Sequence, residues 1–280
     1  MPELPEVETI KNDLRPELKG RRFTSVSILW PRMVLSGSPE LLGEQLIGQH
    51  IREVARRGKY LVFRLASGQA LVLHMRMTGS LLLRSASESS PDERRYVTAV
   101  FGLDSGQELL FCDRRKLGTV ALVDSEAGLD RKLGPEPLDR AFTTQKLQGL
   151  LAKRKAPIKA ILCDQDVIAG IGNMYADEAL FSARIHPLRP ANSLSHNEID
   201  KLRNAIIVVL RKGIRNAGAS FSDYRRPSGN RGSQQNAFQV AHRGGETCSV
   251  CATPIVRIPV RNRGTYYCPK CQSDATCSGS

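Results

Sequence analysis

The chain is short of acid. Its 280 residues hold 28 aspartates and glutamates against 41 lysines and arginines, giving a formal net charge of +13 and a pI near 9.7. That imbalance disfavours a small neutral ligand and favours a polyanionic partner, nucleic acid first. No apolar run approaches the ~20 residues that a membrane helix needs, and no signal peptide is recognisable, so the expectation is a soluble, cytoplasmic protein with no membrane partner. A disulfide framework is also missing. Four of the seven cysteines sit in two C-x2-C pairs near the end, while Cys112, Cys163 and Cys277 stand singly. This is the pattern of a reducing compartment with one metal site. Cys112 and Cys163 lie in apolar surroundings and read as small buried hydrophobes. There is no internal repeat.

What is present divides in two. Residues 60 to 83, YLVFRLASGQALVLHMRMTGSLLL, are rich in Val, Leu and aromatics and break at Ser67 and Gly68, which predicts strands around a turn. Further strand-like runs follow at Tyr96 to Phe101, Glu108 to Cys112 and Thr119 to Val123. Between them SASESSPDERR, 85 to 95, reads as a loop. GPEPLDR, 134 to 140, punctuates the chain, and beyond it the periodicity becomes helical. SHNEIDKLRNAIIVVLRKGIR is the clearest helix: Ser195 and Glu198 have capping-box spacing, and Ile199, Leu202, Ile206, Leu210 and Ile214 share one face. The Gly-, Ser- and Asn-rich stretch that follows reads as a long loop of the functional kind.

The strongest local signal is Cys248, Cys251, Cys268 and Cys271, spaced C-x2-C-x16-C-x2-C. Four thiolates so spaced close around one tetrahedral Zn2+, which is then structural because no coordination position stays open. Arg257, Arg261 and Arg263 lie between the two pairs, where a small hairpin would present them to phosphates. A second basic cluster, Lys153, Arg154, Lys155 and Lys159, precedes GIGNMY, whose glycines flank Asn173 and suit the close approach of backbone N–H groups to an anion. Lys59 sits at the mouth of the first strong strand and His74 on the next; for a lone His among apolar residues, a hydrogen-bonded core position is the default.

The opening, MPELPEVETI, sets the chemical question. Pro5 suits the first turn of a helix with Val7, Ile10 and Leu14 on its apolar face, and Glu6 and Glu8 complement that helix's N-terminal dipole. Pro2 and Glu3 are left over. With Met1 removed, Pro2 exposes a secondary amine beside a carboxylate, a nucleophile next to a general acid. An α-amine of ordinary pKa, ~7.7 to 8, is partly neutral at physiological pH and can form a Schiff base with a sugar C1′.

Taken in order, MPELPEVE, RRGKY, HMRMTGSL, the D-x-R-x-x-G of DRRKLG, IAGIGNMYADEALF and the four-cysteine finger resemble formamidopyrimidine-DNA glycosylase over essentially the whole chain. The resemblance implies an α+β protein with an N-terminal β-sandwich domain over 1–136, a helix-two-turn-helix domain with a lesion-capping loop over 137–236 and a zinc finger over 237–280. It implies a monomer acting on damaged double-stranded DNA held in the cleft between the halves, with release of an oxidised purine and strand opening by β,δ-elimination. By this likeness Pro2 is the nucleophile, Glu3 the acid/base at the sugar, Lys59 a proton donor for β-elimination, Glu6 a support, and Arg263 the finger arginine that grips phosphate and serves the δ step. His74 and Asn173 match phosphate ligands. Met77 and Arg115 match the residues that fill the gap left by the flipped base, and Arg94 and Arg154 fall at DNA-contacting basic positions; Lys159, from the basic cluster, is a further candidate DNA contact.

Two departures stand out. Leu117 replaces the family's wedge phenylalanine, and Ala241 stands where a phosphate-binding tyrosine is usual. The endonuclease VIII branch shares fold and chemistry but prefers oxidised pyrimidines; PELPEVE and the long 217 to 236 loop favour the purine branch. The rival from another class is a non-catalytic zinc-finger DNA-binding protein. Charge does not separate the two, whereas Pro2 and Glu3 do, since a binder has no use for a free terminal proline.

Overall fold

Helix α1, Leu4–Leu18, is seeded by Pro5 in its first turn and buries Val7, Ile10, Leu14 and Leu18 completely. Pro fits there because the first turn has no intrahelical partner for the N–H that Pro lacks. In the computed structural model of the chain, residues 1–85, 94–221 and 223–273 are described. Most of the polar 85–95 loop and Cys277 therefore lie outside the described residues. The chain forms two compact units, Met1–Asp130 with Gly213–Gln235, and Arg131–Lys212 with Asn236–Ser280. The stretch after the long helix thus packs with the N-terminal unit, although it follows the helical segment in sequence.

The first unit is an antiparallel sandwich. One sheet runs β1 (Phe23–Ile28), β6 (Val97–Leu103), β7 (Gln107–Asp113), β5 (Gly79–Ser85); the other runs β2 (Ile51–Arg57), β3 (Tyr60–Leu65), β4 (Ala70–His74), β8 (Thr119–Val123). Alternation decides what each strand buries. On β4, Leu71 and Leu73 enter the core that both sheets share with α1, while Ala70 and Val72 join Val62 on the outer face, against which Leu129 of the short α3 (Ala127–Lys132) packs. Leu82, Leu110 and Cys112 make the corresponding outer patch of the other sheet, so Cys112 is a buried hydrophobe. Tyr224, from the returning stretch, completes the main core. Helix α2 (Pro39–Leu46) is capped by Ser38, whose Oγ accepts from Leu41 N.

The second unit is helical up to a two-stranded hairpin. It contains α4 (Thr144–Leu151), α5 (Ile158–Leu162), α6 (Asn173–Ala183) and most of α7 (His196–Arg215), followed by the hairpin β9 (Val256–Val260) and β10 (Arg263–Tyr267). Ser195 caps α7 as its spacing implies: Ser195 N donates to Glu198 Oε2 at 2.8 Å and Glu198 N to Ser195 Oγ at 3.3 Å.

Two adjacent acids on α6 organise this unit. Asp177 accepts from Lys159 Nζ and from Tyr266 N at 3.2 Å, joining α5 to β10, and both charged side chains are 1% exposed. Burial pushes the Asp177 carboxyl up to about 7, against the pull of the Lys159 ammonium. The neighbouring Glu178 accepts from the N–H groups of Gln239, Val240 and Ala241 at 2.8 to 2.9 Å. The segment leading into the finger is therefore folded around a carboxylate.

A buried pair is most costly when only one partner is removed, because the survivor keeps its desolvation penalty. Asp177→Ala is expected to destabilise the second unit by about 3–5 kcal/mol in chemical unfolding, and the double change Lys159→Met with Asp177→Leu by clearly less. Equal losses would contradict the pairing.

Candidate functional site

The N-terminal site is built on the first turn of α1. Pro2, Glu3 and Glu6 are all buried, the two glutamates at 2% and 1% exposure. Glu6 spans two backbone groups: its Oε2 accepts from Glu3 N and its Oε1 from Ala219 N, each at 2.8 Å. Gly218 has φ +77, and a Cβ there would lie 2.8 Å from Glu6 Cγ, so only glycine lets the chain come this close. Tyr224 OH donates to Ala217 O at 3.1 Å and steadies the same turn. The carboxylate of Glu6 thus fastens the chain start to the 217–219 turn.

Lys59 arrives on a hairpin. Arg57 pairs with Tyr60, leaving Gly58 and Lys59 as a two-residue turn with Gly58 at φ 58. Arg56 fixes that turn to α1, donating from Nε to Glu8 Oε2 at 2.7 Å and from Nη1 to Gly58 O at 2.9 Å. Glu8, read from the sequence as a dipole partner, therefore holds the Lys59 hairpin as well.

His74 lies across from Tyr60 in the β3–β4 ladder, the rings edge-on at 4.6 Å. Arg76 N lies 3.0 Å from Nδ1 and donates to it, which leaves the ring proton on Nε2. Burial, with the charges of Arg76 and Lys59 adding to it, holds the imidazole down to about 3. His74 is a neutral N–H donor, a form that suits a phosphate oxygen, and its hydrogen-bonded core setting agrees with the default reading too.

Met77 and Arg115 occupy two turns that one carboxylate ties together. Asp113 is 1% exposed and accepts from Thr78 Oγ1, from Leu117 N at 2.7 Å and from Gly118 N at 2.6 Å. Arg115 N lies 3.1 Å from Thr78 Oγ1. Met77 and Leu117 are each 44% exposed. Large apolar side chains held outward on tightened turns can enter a gap in a base stack, and Leu117 offers less stacking area than an aromatic ring. Asp113 and Thr78 were legible only as letters of the motifs; no local pattern announces that one would cap the other's turn. Arg94 is exposed and pairs with Glu108 at 2.6 Å.

In the second unit Asn173 opens α6 and donates from Nδ2 to Gly264 O at 2.7 Å, reaching the hairpin one residue after Arg263. Arg263 is exposed and donates from Nη1 to Cys163 O at 3.4 Å. Arg154 is half-buried in the turn that follows α4, where it donates from Nη1 to Leu150 O at 3.0 Å. Lys159 departs from expectation: its ammonium is buried between Asp177 and Asn173 O, so it braces the site instead of meeting phosphate. Ala241 is buried, and its N–H is one of those donating to Glu178.

The four cysteines converge. The Sγ atoms of Cys248, Cys251, Cys268 and Cys271 all lie within 4.8 Å of one another. A tetrahedron of thiolates around one ion, with ~2.3 Å bonds, has edges of about 3.8 Å. The Cys248–Cys271 and Cys251–Cys268 separations, 3.9 and 3.4 Å, bracket that value. Val250 N and Cys271 N point at the sulfurs of Cys248 and Cys268, as in the tight turns that present paired thiolates. The geometry is that of a metal-binding site.

Known proteins resemble this chain over nearly its whole length. The profile of the formamidopyrimidine-DNA glycosylase N-terminal domain matches residues 1–120, that of its H2TH domain residues 133–224, and that of a zinc finger found in FPG and IleRS residues 245–273. A formamidopyrimidine-DNA glycosylase of Herpetosiphon aurantiacus is 46% identical over 276 residues, covering 98% of this chain and 100% of the relative. One from Chloroflexus aurantiacus is 46% identical over 275 residues, covering 97% and 98%. Among solved structures, Lactococcus lactis Fpg in complex with abasic-site DNA superposes with a TM-score of 0.90 at 35% identity, covering 97% of this chain and 100% of that one. The same enzyme in complex with Fapy-dG DNA gives 0.89 at 36%, again covering 97% and 100%.

The state of His74 makes stability depend on pH in a defined direction. The unfolded chain binds a proton there near ~6.5 and the folded chain only near 3, so between these values the unfolded state holds more protons and stability falls as pH falls. His74→Gln is expected to make that loss shallower by up to about 1.4 kcal/mol per pH unit, in unfolding curves taken at intervals below pH 6.5. Parallel profiles would contradict a buried neutral imidazole.

Proposed function

Because the chain belongs to the formamidopyrimidine-DNA glycosylase family, we propose that it removes oxidised purines from duplex DNA and opens the strand at the resulting abasic site with its own N-terminal amine. It is a DNA glycosylase of base-excision repair, and we infer the purine preference and the lyase step from its residues. The observation that carries the reading is the buried Glu3–Glu6 pair, with Glu6 bonded to both Glu3 N and Ala219 N. A protein that only bound DNA would gain nothing from burying two carboxylates beside Pro2, since each costs desolvation. An active site gains fixed geometry.

With Met1 removed, the Pro2 nitrogen adds its lone pair to C1′ of the extruded nucleotide while the N-glycosidic bond breaks, and the base leaves with the proton that the Pro2 nitrogen gives up. Glu3 protonates O4′, the ring opens, and an iminium joins Pro2 N to C1′. Loss of a C2′ proton then expels the 3′ phosphate, and loss of a C4′ proton expels the 5′ phosphate. Lys59 supplies the proton for the first elimination, and Arg263 holds the phosphate that departs in the second. His74 and Asn173 offer N–H groups to phosphate oxygens, Met77, Arg115 and Leu117 occupy the vacated stack, and Arg94 and Arg154 add cationic contacts.

One Zn2+ suits the four-cysteine site; Cys248, Cys251, Cys268 and Cys271 would hold it, and a closed set of four thiolates makes it a structural brace for the hairpin that carries Arg263.

Lys59→Ala separates chemistry from binding. Nicking of a preformed abasic site is expected to fall by at least ~10²-fold, the range for loss of a positioned proton donor, while affinity for undamaged duplex changes far less. Loss of non-specific affinity with nicking intact would reduce Lys59 to a phosphate contact.

A further inference from the structure

The tip of the metal-binding hairpin holds a residue that the turn itself does not want. Val260 pairs with Arg263, so Arg261 and Asn262 are the two central residues of a two-residue hairpin loop, and both have positive φ, 42 and 63. This is the primed turn that suits the twist of a β-hairpin, and it favours Asn and Gly because a side chain beyond Cβ gains nothing there and a Cβ is crowded. Asn262 meets that preference. Arg261 does not, and strained backbone of this kind persists where the side chain has a use.

The side chain is well placed for one. Arg261 is exposed and, among the described residues, makes no hydrogen bond or ion pair. With Arg263 it lines a cavity of about 470 Å³ against α5 and the turn after it. Lys159 lines the same cavity, but its charge is taken by Asp177. The cations with charge to offer are therefore the two guanidiniums. Asp164 and Asp166 stand on the cavity's other lining and neither pairs with Arg261, so an anion would sit on the arginine side.

We propose that Arg261 is a second phosphate ligand of the finger, gripping a DNA phosphate next to the one held by Arg263. The inference rests on the proposed DNA-processing function. Arg261 is a binding residue and takes no part in bond breaking: a planar guanidinium pairs with phosphate oxygens in bidentate fashion, and two of them two residues apart can hold successive phosphates of one strand.

The test uses the full chain with its metal and a duplex carrying a tetrahydrofuran abasic analogue, with dissociation constants measured from about 50 to 300 mM salt. Each phosphate contact contributes about 0.9 to the slope of log K against log salt. Arg261→Asn places a better turn former at the tip, so its melting temperature is expected to equal or exceed that of the parent, while the slope falls by about one and affinity drops several-fold. Arg261→Lys keeps the charge and should retain most of the slope. An Arg261→Asn slope equal to the parent's, whatever its melting temperature, would overturn the proposal. Arg263→Ala distinguishes the underlying reading: if it too left affinity, slope and nicking unchanged, the DNA-processing function assigned to this surface would fail, whereas failure at Arg261 alone would leave it standing.

Discussion

The Glu6 carboxylate is the constraint on which the N-terminal site depends. Fixing the backbone ahead of a helix costs conformational entropy. Here the backbone N–H of Glu3 and the N–H of Ala219 end on the two oxygens of one side chain that is 1% exposed. Hydrogen bonds to a charged group are each worth roughly 1.5–3 kcal/mol, enough to hold the backbone at Glu3 in one position. The rest follows from α1: Pro5 starts it, its apolar stripe anchors it in the sandwich, and Glu8 with Arg56 sets the Lys59 hairpin against it. The returning turn cannot accept any residue but glycine at 218 without moving Glu6.

The second unit uses the same device twice. Asp177 and Glu178 are carboxylates buried on one helix, and each is satisfied by groups distant in sequence, Lys159 and Tyr266 for one and three successive backbone N–H groups at 239–241 for the other. The zinc-type site closes the finger on itself, and these acids fix it to α6, whose first residue, Asn173, bonds to the backbone beside Arg263. Three buried carboxylates, with Asp113 as a fourth under the Arg115 turn, therefore position the backbone at Glu3, the hairpin that carries Arg263 and the turn that carries Arg115 and Leu117.

Much of this was legible in the chain, and the divide is physical. The apolar stripe of α1, the capped α7, the strands from Tyr60 onward and the four-cysteine spacing are local signals, and each appears in the fold as read. Strands β1 and β2 escaped because FTSVSI and IREVARR expose much of their length and carry polar residues accordingly. Lys159 was misread for a related reason: in a row of basic residues nothing local distinguishes the one whose partner, Asp177, lies 18 residues on. The adjacent acids in the apolar run NMYADEALF were an available sign of buried charge. The pairing of Glu6 with Ala219 spans 213 residues and had no local sign at all.

The proposed reaction turns on the amine of Pro2, held by this scaffold, as the nucleophile. Purified protein is incubated with duplex DNA containing 8-oxoguanine opposite cytosine in the presence of borohydride, which reduces an imine to a stable amine, and the modified peptide is identified by mass spectrometry. The protein should begin at Pro2 and carry the sugar remnant on that residue. A remnant on Lys59, or full activity in protein that retains Met1, would contradict it.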